Sequence, residues 1–204
     1  MIDKLGQVRP NNAEPWRFLV RGLWASGLRL SEALALSWDE AEPVAIVGFN
    51  TGRPMIRIEG THQKSGRLSE IPCVPELAEL LRTIPEADRT GVVFKLPCRQ
   101  REKASSVISA AGKKAKIVTG PNATATAHDL RRSFATRWAK RLSAQALKQL
   151  MRHSALQTTL TFYATGDVGL SDAIWGVSGD KTGDKPYSLP TGDSRRSDVT
   201  SCPE

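Results

Sequence analysis

Cysteine is scarce in this 204-residue chain, and Cys73, Cys98 and Cys202 stand far apart. No CxxC pair and no Cys/His spacing of the metal-binding kind occurs, which argues against a structural zinc or any other metal site. An odd, scattered set fits reduced thiols. The opening Met1-Ile2-Asp3-Lys4 leads into polar sequence without a secretory leader pattern, so a cytoplasmic protein is expected. No apolar run approaches membrane-spanning length, which removes a membrane partner from the expectations. No internal repeat is visible.

Acidic residues are outnumbered, 21 against 29 Lys and Arg, for a formal charge of +8. The imbalance is uneven. Up to Thr165 there are 25 bases and 14 acids, whereas the remainder carries four bases and seven acids. A basic excess confined to one part of a chain suits an anionic partner such as nucleic acid. Hydrophobic residues make up 40%, enough for a real core.

Residues 1–14 read as a linker remnant, with Pro10-Asn11-Asn12 as a breaker. Pro15 then opens a helical period of Trp16, Leu19, Val20, Leu23 and Trp24 that Gly27 ends. Ser31 is the expected cap of a short helix from Glu32 to Trp38. Three strands are predicted at 44–47, 55–58 and 68–71, the last two joined by the polar turn Gln63-Lys64-Ser65-Gly66. Helices are predicted at 76–82, 105–118, 128–141, 144–151 and 158–164, with a loop at 119–125. From 179 to 204 the chain is rich in Gly, Ser, Asp and Pro and has little to bury, so a disordered tail is predicted. The expectation is one domain over 15–178, mainly α with a small three-stranded antiparallel sheet.

The densest chemistry lies in Ala127-His128-Asp129-Leu130-Arg131-Arg132-Ser133-Phe134-Ala135-Thr136. His128 and Arg131 are three residues apart, hence on one helix face, while Arg132 turns elsewhere. Met151-Arg152-His153 and Thr158-Thr159-Leu160-Thr161-Phe162-Tyr163 follow, and Gly27-Leu28-Arg29-Leu30-Ser31-Glu32 precedes. Each residue alone has an ordinary reading: Arg29 a surface ion pair with Glu32, His128 a cap, Tyr163 a core residue. Together they supply what phosphodiester chemistry needs: fixed positive charge, a proton acceptor and a nucleophile. Carboxylates near the motifs are few, so arginines rather than metal ions are expected to grip the phosphate.

These residues resemble the tyrosine recombinase, or phage integrase, family. Ser26-Gly27-Leu28-Arg29-Leu30-Ser31-Glu32 is similar to its first box, His128 to Thr136 to its second, and His153 to Tyr163 to its third. The likeness covers roughly Pro15 to Ala164 and implies the family's DNA breaking-rejoining catalytic fold. It implies that Arg29 and Arg131 clamp the scissile phosphate and that Tyr163 attacks it. It further implies that His128 takes the phenol proton, that His153 bonds a phosphate oxygen, and that Lys64 protonates the leaving oxygen. Glu32 would buttress Arg29. No cofactor is implied. Double-stranded DNA is the implied partner, bound by a free monomer that forms tetramers on paired sites, with 168–177 as the segment available for exchange between subunits. Arg132, Arg137, Lys140, Arg141, Lys113, Lys114 and Lys116, together with Lys148 and Arg152, are expected to contact the DNA backbone.

Two departures stand out. Many members carry the tyrosine nine residues after the third-box histidine; here that position is Phe162, and Tyr163 is one later. The only other tyrosine is Tyr187. The family's usual N-terminal DNA-clamping domain is also missing before Pro15, as in an excised fragment or a truncated gene product. The readings left open are therefore a site-specific recombinase, a type IB topoisomerase-like enzyme, and a DNA-binding remnant that no longer cuts.

Overall fold

The structure is a computed structural model that describes residues 1–62 and 66–164. Lys64, Tyr187, Cys202, the segment 168–177 and the predicted tail lie outside the described residues.

Residues 1–14 are not a linker. Ile2–Lys4 forms a 3-10 turn, Leu5–Val8 the short helix α1, and Pro10–Asn12 another turn. Ile2, Leu5 and Val8 recur at three-residue spacing and lay an apolar stripe on the core, with Leu5 fully buried. Burying one such leucine stabilises by about 2 kcal/mol, and Lys114 adds a bond from its Nζ to the Gln7 carbonyl at 3.1 Å. The breaker at Pro10 turns the chain without freeing it.

Helix α2 (Ala13–Ser26) buries Trp16, Leu19, Val20 and Leu23, its 3.6-period face. Gly27 closes it in the left-handed region, φ 63°, returning its N–H to Leu23 at 3.2 Å. A Cβ at Gly27 would run into the Phe134 ring, so glycine satisfies both the turn and the close approach of the second-box helix.

Helix α3 (Leu30–Ala35) starts two residues earlier than expected and ends three earlier. Its cap is Arg29, not Ser31, because the Glu32 carboxylate reaches back to the Arg29 backbone N–H at 2.7 Å.

Strands β1 (Val44–Val47), β2 (Met55–Ile58) and β3 (Ser69–Pro72) pair antiparallel in that order. Their register sets Ile46, Ile56 and Ile71 in one buried row. Helix α4 (Pro75–Arg82) has proline at its start.

Helix α5 (Arg101–Lys114) begins four residues before its predicted start, burying Ala104, Val107, Ile108 and Ala111. The predicted loop at 119–125 is largely a small hairpin, β4 (Val118–Gly120) with β5 (Ala123–Thr124). Strands this short leave almost no alternation to read.

Helix α6 (Ala127–Ala139) opens on a capping box: the Thr126 N–H and hydroxyl both donate to Asp129 Oδ2, at 3.0 and 2.7 Å. Helices α7 (Ala144–Met151) and α8 (Leu156–Ala164) follow. Packing of α6 against α2, and of α8 against α6 and α7, brings the three sequence boxes together. Among the described residues no helix is long and apolar enough to cross a membrane.

Candidate active site

Arg131 forms the floor of the site. It sits one turn into α6 with 6% of its surface exposed. Its two terminal nitrogens donate to the Gly27 and Met151 carbonyls. These are the carbonyl ends of α2 and α7, where unpaired acceptors and the helix dipole favour a cation. Burial, then Arg152 and Arg29, push its pKa down to about 9. The guanidinium remains charged at neutral pH.

Arg29 forms the rim. Its side chain is 42% exposed, and its hold is polar rather than packed. One terminal nitrogen meets Glu32 Oε1 at 2.7 Å, and the other approaches the Arg152 carbonyl at 3.5 Å. Glu32, 1% exposed, also accepts from Arg152 at 2.5 Å. Burial alone would raise the Glu32 pKa, but Arg152 and the bonds from Arg29 hold it below the usual carboxylate value. One buried carboxylate thus ties two arginines.

His153 follows the Arg152 cap of α7. Its Nδ1 lies 3.0 Å from the hydroxyl of the fully buried Thr159. Burial, then Arg131, Arg29, Arg152 and His128, hold its pKa down at about 4, so the ring is neutral at pH 7. With Nδ1 engaged, Nε2 is the nitrogen left to meet a ligand. His128 stands exposed on the first turn of α6.

Arg29, His128, Arg131 and His153 line one cleft of about 550 Å³. Arg101 and Ser105, four residues apart on α5, line it too. Arg29, His153 and Thr158 also border a neighbouring cleft of about 1000 Å³ that runs over β3 and α7 past Arg67, Glu70 and Lys148. Four converging nitrogen donors around a hollow of this kind can hold a tetrahedral oxyanion.

Tyr163 is placed differently. Its hydroxyl donates to the Leu142 carbonyl at 2.5 Å, toward the α6–α7 connection, and burial raises its pKa. The ring stacked on His153 is that of Phe162, with centroids 6.0 Å apart and planes 19° from parallel. Lys64 lies outside the described residues.

The expected DNA-contact residues fall into separate groups. Arg132 is exposed, with Asp129 at 3.7 Å. Arg137 is engaged elsewhere: it meets Glu76 at 2.8 Å and the Trp24 carbonyl at 2.6 Å, and lies 3.4 Å over the Trp24 ring. Arg141 shares Glu76 at 3.7 Å. Nine residues after His128, Arg137 is on the opposite side of the helix. Lys140 follows the last residue of α6 and is exposed. Lys113 and Lys114 end α5, about 20 Å along the helix from Arg101, with Lys116 just beyond at φ 54°. Arg152, expected on the DNA backbone, has a side chain only 5% exposed and is spent on Glu32.

Sequence reasoning missed what Arg152, Thr159, Arg101 and Ser105 do. The Thr-Thr pair in the third box was a signal for Thr159. Nothing in the local pattern marked Arg152 as buried.

The fold is that of tyrosine recombinase catalytic domains. At a TM-score of 0.57 and 20% identity, 86% of the chain superposes on 62% of an integrase of transposon Tn1549 solved with circular intermediate DNA. XerA recombinase matches at 0.56 and 18% identity, over 89% of this chain and 64% of that one. The catalytic domain of bacteriophage HP1 integrase matches at 0.53 and 21% identity, over 89% of this chain and 95% of that one. The chain thus spans less than two thirds of the transposon integrase and of XerA. A search of curated proteins finds no match. The profile of the phage integrase family matches residues 4–168, and the chain belongs to that family.

Proposed function

We propose that this domain binds duplex DNA and cleaves and rejoins its strands through a 3′-phosphotyrosyl link, as a site-specific recombinase. The observation that carries the reading is the meeting of Arg29, His128, Arg131 and His153 around one cleft. Arg29 and Arg131 neutralise the non-bridging oxygens, and neutral His153 donates to one of them through Nε2. Tyr163 Oη bonds to phosphorus while the bond to the 5′ oxygen breaks. His128 takes the phenol proton, and Lys64 gives a proton to the leaving oxygen. The phosphotyrosyl ester conserves the bond energy, so rejoining is the same step in reverse. The Tn1549 integrase and XerH recombinase structures hold DNA, which supports the same partner here.

For this chemistry Tyr163 must leave the Leu142 carbonyl, so α8 has to shift or rewind when DNA enters. Backbone contacts from this domain carry affinity but little sequence information, so its own binding to duplex is salt-sensitive and poorly specific. A nicked suicide substrate tests the reaction. The parent chain is expected to form a covalent adduct, Tyr163→Phe to bind DNA equally and form none, and Tyr187→Phe to behave as the parent. Adduct persisting in Tyr163→Phe overturns the assignment.

The engaged Tyr163 hydroxyl also favours a second reading, a domain that binds DNA without cutting it. Undiminished DNA binding with no adduct from the parent chain selects that reading.

A further inference from the structure

We propose that Arg152 is a positioning residue of the phosphate clamp: it acts through Glu32, and through its own carbonyl, to aim Arg29. The inference rests on the phosphodiester reading above and concerns a residue outside the expected clamp.

The two clamp arginines are held in different ways. Arg131 is fixed by two backbone carbonyls and by burial. Arg29 is half exposed, and its polar anchors are Glu32 and the Arg152 carbonyl. Glu32 offers only two oxygens. Oε1 takes the Arg29 side chain, while Oε2 takes the Arg29 backbone N–H at 2.7 Å and Arg152 at 2.5 Å. Arg152 is itself tethered by a bond from its other terminal nitrogen to the Leu150 carbonyl at 3.3 Å. Removing Arg152 therefore frees the carboxylate to turn, and Arg29 turns with it.

The local backbone supports a selected role. Arg152 has φ 53° and ψ 45°, a left-handed conformation that costs every side chain except glycine and, in part, asparagine. It also buries an Nε that has no hydrogen-bond partner among the described residues. Glycine would serve the turn better, so the ion pair with Glu32 must outweigh both penalties. The same left-handed turn sends the side chain to Glu32 and the carbonyl to Arg29. A phosphate arriving between Arg29 and Arg131 then meets guanidiniums already aimed, which is where a clamp gains over free cations.

Arg152→Gly keeps the turn and its carbonyl and deletes the side chain with its guanidinium. Glu32 stays paired with Arg29, so no isolated buried charge is created. The test is calorimetric binding of inorganic phosphate, which does not depend on the nucleophile, in the parent, Arg152→Gly, Arg29→Ala and the double variant. Arg152→Gly is expected to weaken phosphate binding roughly 10-fold. In the Arg29→Ala background the same change should matter less than about 2-fold, since there is no longer an arginine to aim. Arg152→Lys keeps the charge but cannot span Glu32 and the Leu150 carbonyl together, and should recover affinity only in part. It also carries the comparison if the glycine variant does not fold.

An equal loss with and without Arg29, or full affinity in Arg152→Lys, overturns the proposal, because charge alone would then be at work. Phosphate binding that survives Arg152→Gly unchanged overturns it as well while leaving the clamp intact. A parent chain that holds no phosphate overturns the clamp and this proposal together.

Discussion

Helix α6 presents arginines on two sides, and the two sides do different things. On one, Arg131 is buried against backbone carbonyls, with no carboxylate bonded to it among the described residues, and borders an open cleft. On the other, Arg137 shares the Glu76 carboxylate with Arg141, just past the end of the helix, and lies over the Trp24 ring. The residue type is the same and the helix is the same. A cation matched only by neutral carbonyls stays available to an anion, whereas one matched by a carboxylate and an indole serves the fold. Partner chemistry, rather than the number of positive charges, separates a ligand site from a structural brace.

The largest effect that sharpens this contrast is expected at Arg131. Arg131→Ala strips charged donors from two buried carbonyls and should lower stability by about 2–4 kcal/mol in chemical denaturation. It should also lower adduct formation by roughly 10²–10³-fold. A variant as stable as the parent would break the contrast on its first side. Arg137→Ala is expected to cost about 1 kcal/mol, since its half-exposed ion pair and ring contact are screened by water. DNA affinity and its salt slope should stay within about 2-fold of the parent; a slope reduced by about one would return Arg137 to the DNA.

The smallest effect is a pH dependence at His153. An unfolded histidine takes its proton near 6.5, but the folded site resists until about 4. Between those values the unfolded chain binds the extra proton. The stability tied to the neutral ring is therefore complete above about pH 6.5 and declines as pH falls toward 4. Denaturation midpoints at pH 7 and pH 5 should differ more in the parent than in His153→Gln. An equal difference would mean that the ring is not held neutral by the arginines.

Much of the scaffold was legible because its signals are local. The 3.6 period from Trp16 to Leu23 and the glycine after it give α2 and its end. Short apolar runs give β1 and β2 their limits, and the helix expected at 144–151 coincides with α7. The gathering of Arg29, His128, Arg131 and His153 was legible as well, through the spacing of the boxes. What stayed hidden depends on partners distant in sequence. Arg152 reads as one more surface base until Glu32, 120 residues upstream, is packed against it. Arg137 reads the same way until α4 brings Glu76 across. Residues 1–14 read as a linker because their apolar stripe has no meaning without α5 to cover it. The cap at Arg29 was hidden for a different reason: a carboxylate returning to a backbone N–H overrides the ordinary preference for serine.

The two carbonyls that hold Arg131 lie 104 and 20 residues away along the chain. Its cradle thus closes only when α2, α6 and α7 have all docked. Loops of that span close late and slowly compared with a single helix. A chain still leaving the ribosome, or one partly unravelled by heat, has every arginine of the site and none of its grip. The competence to hold a phosphate thereby belongs to the assembled fold and to no single helix of it.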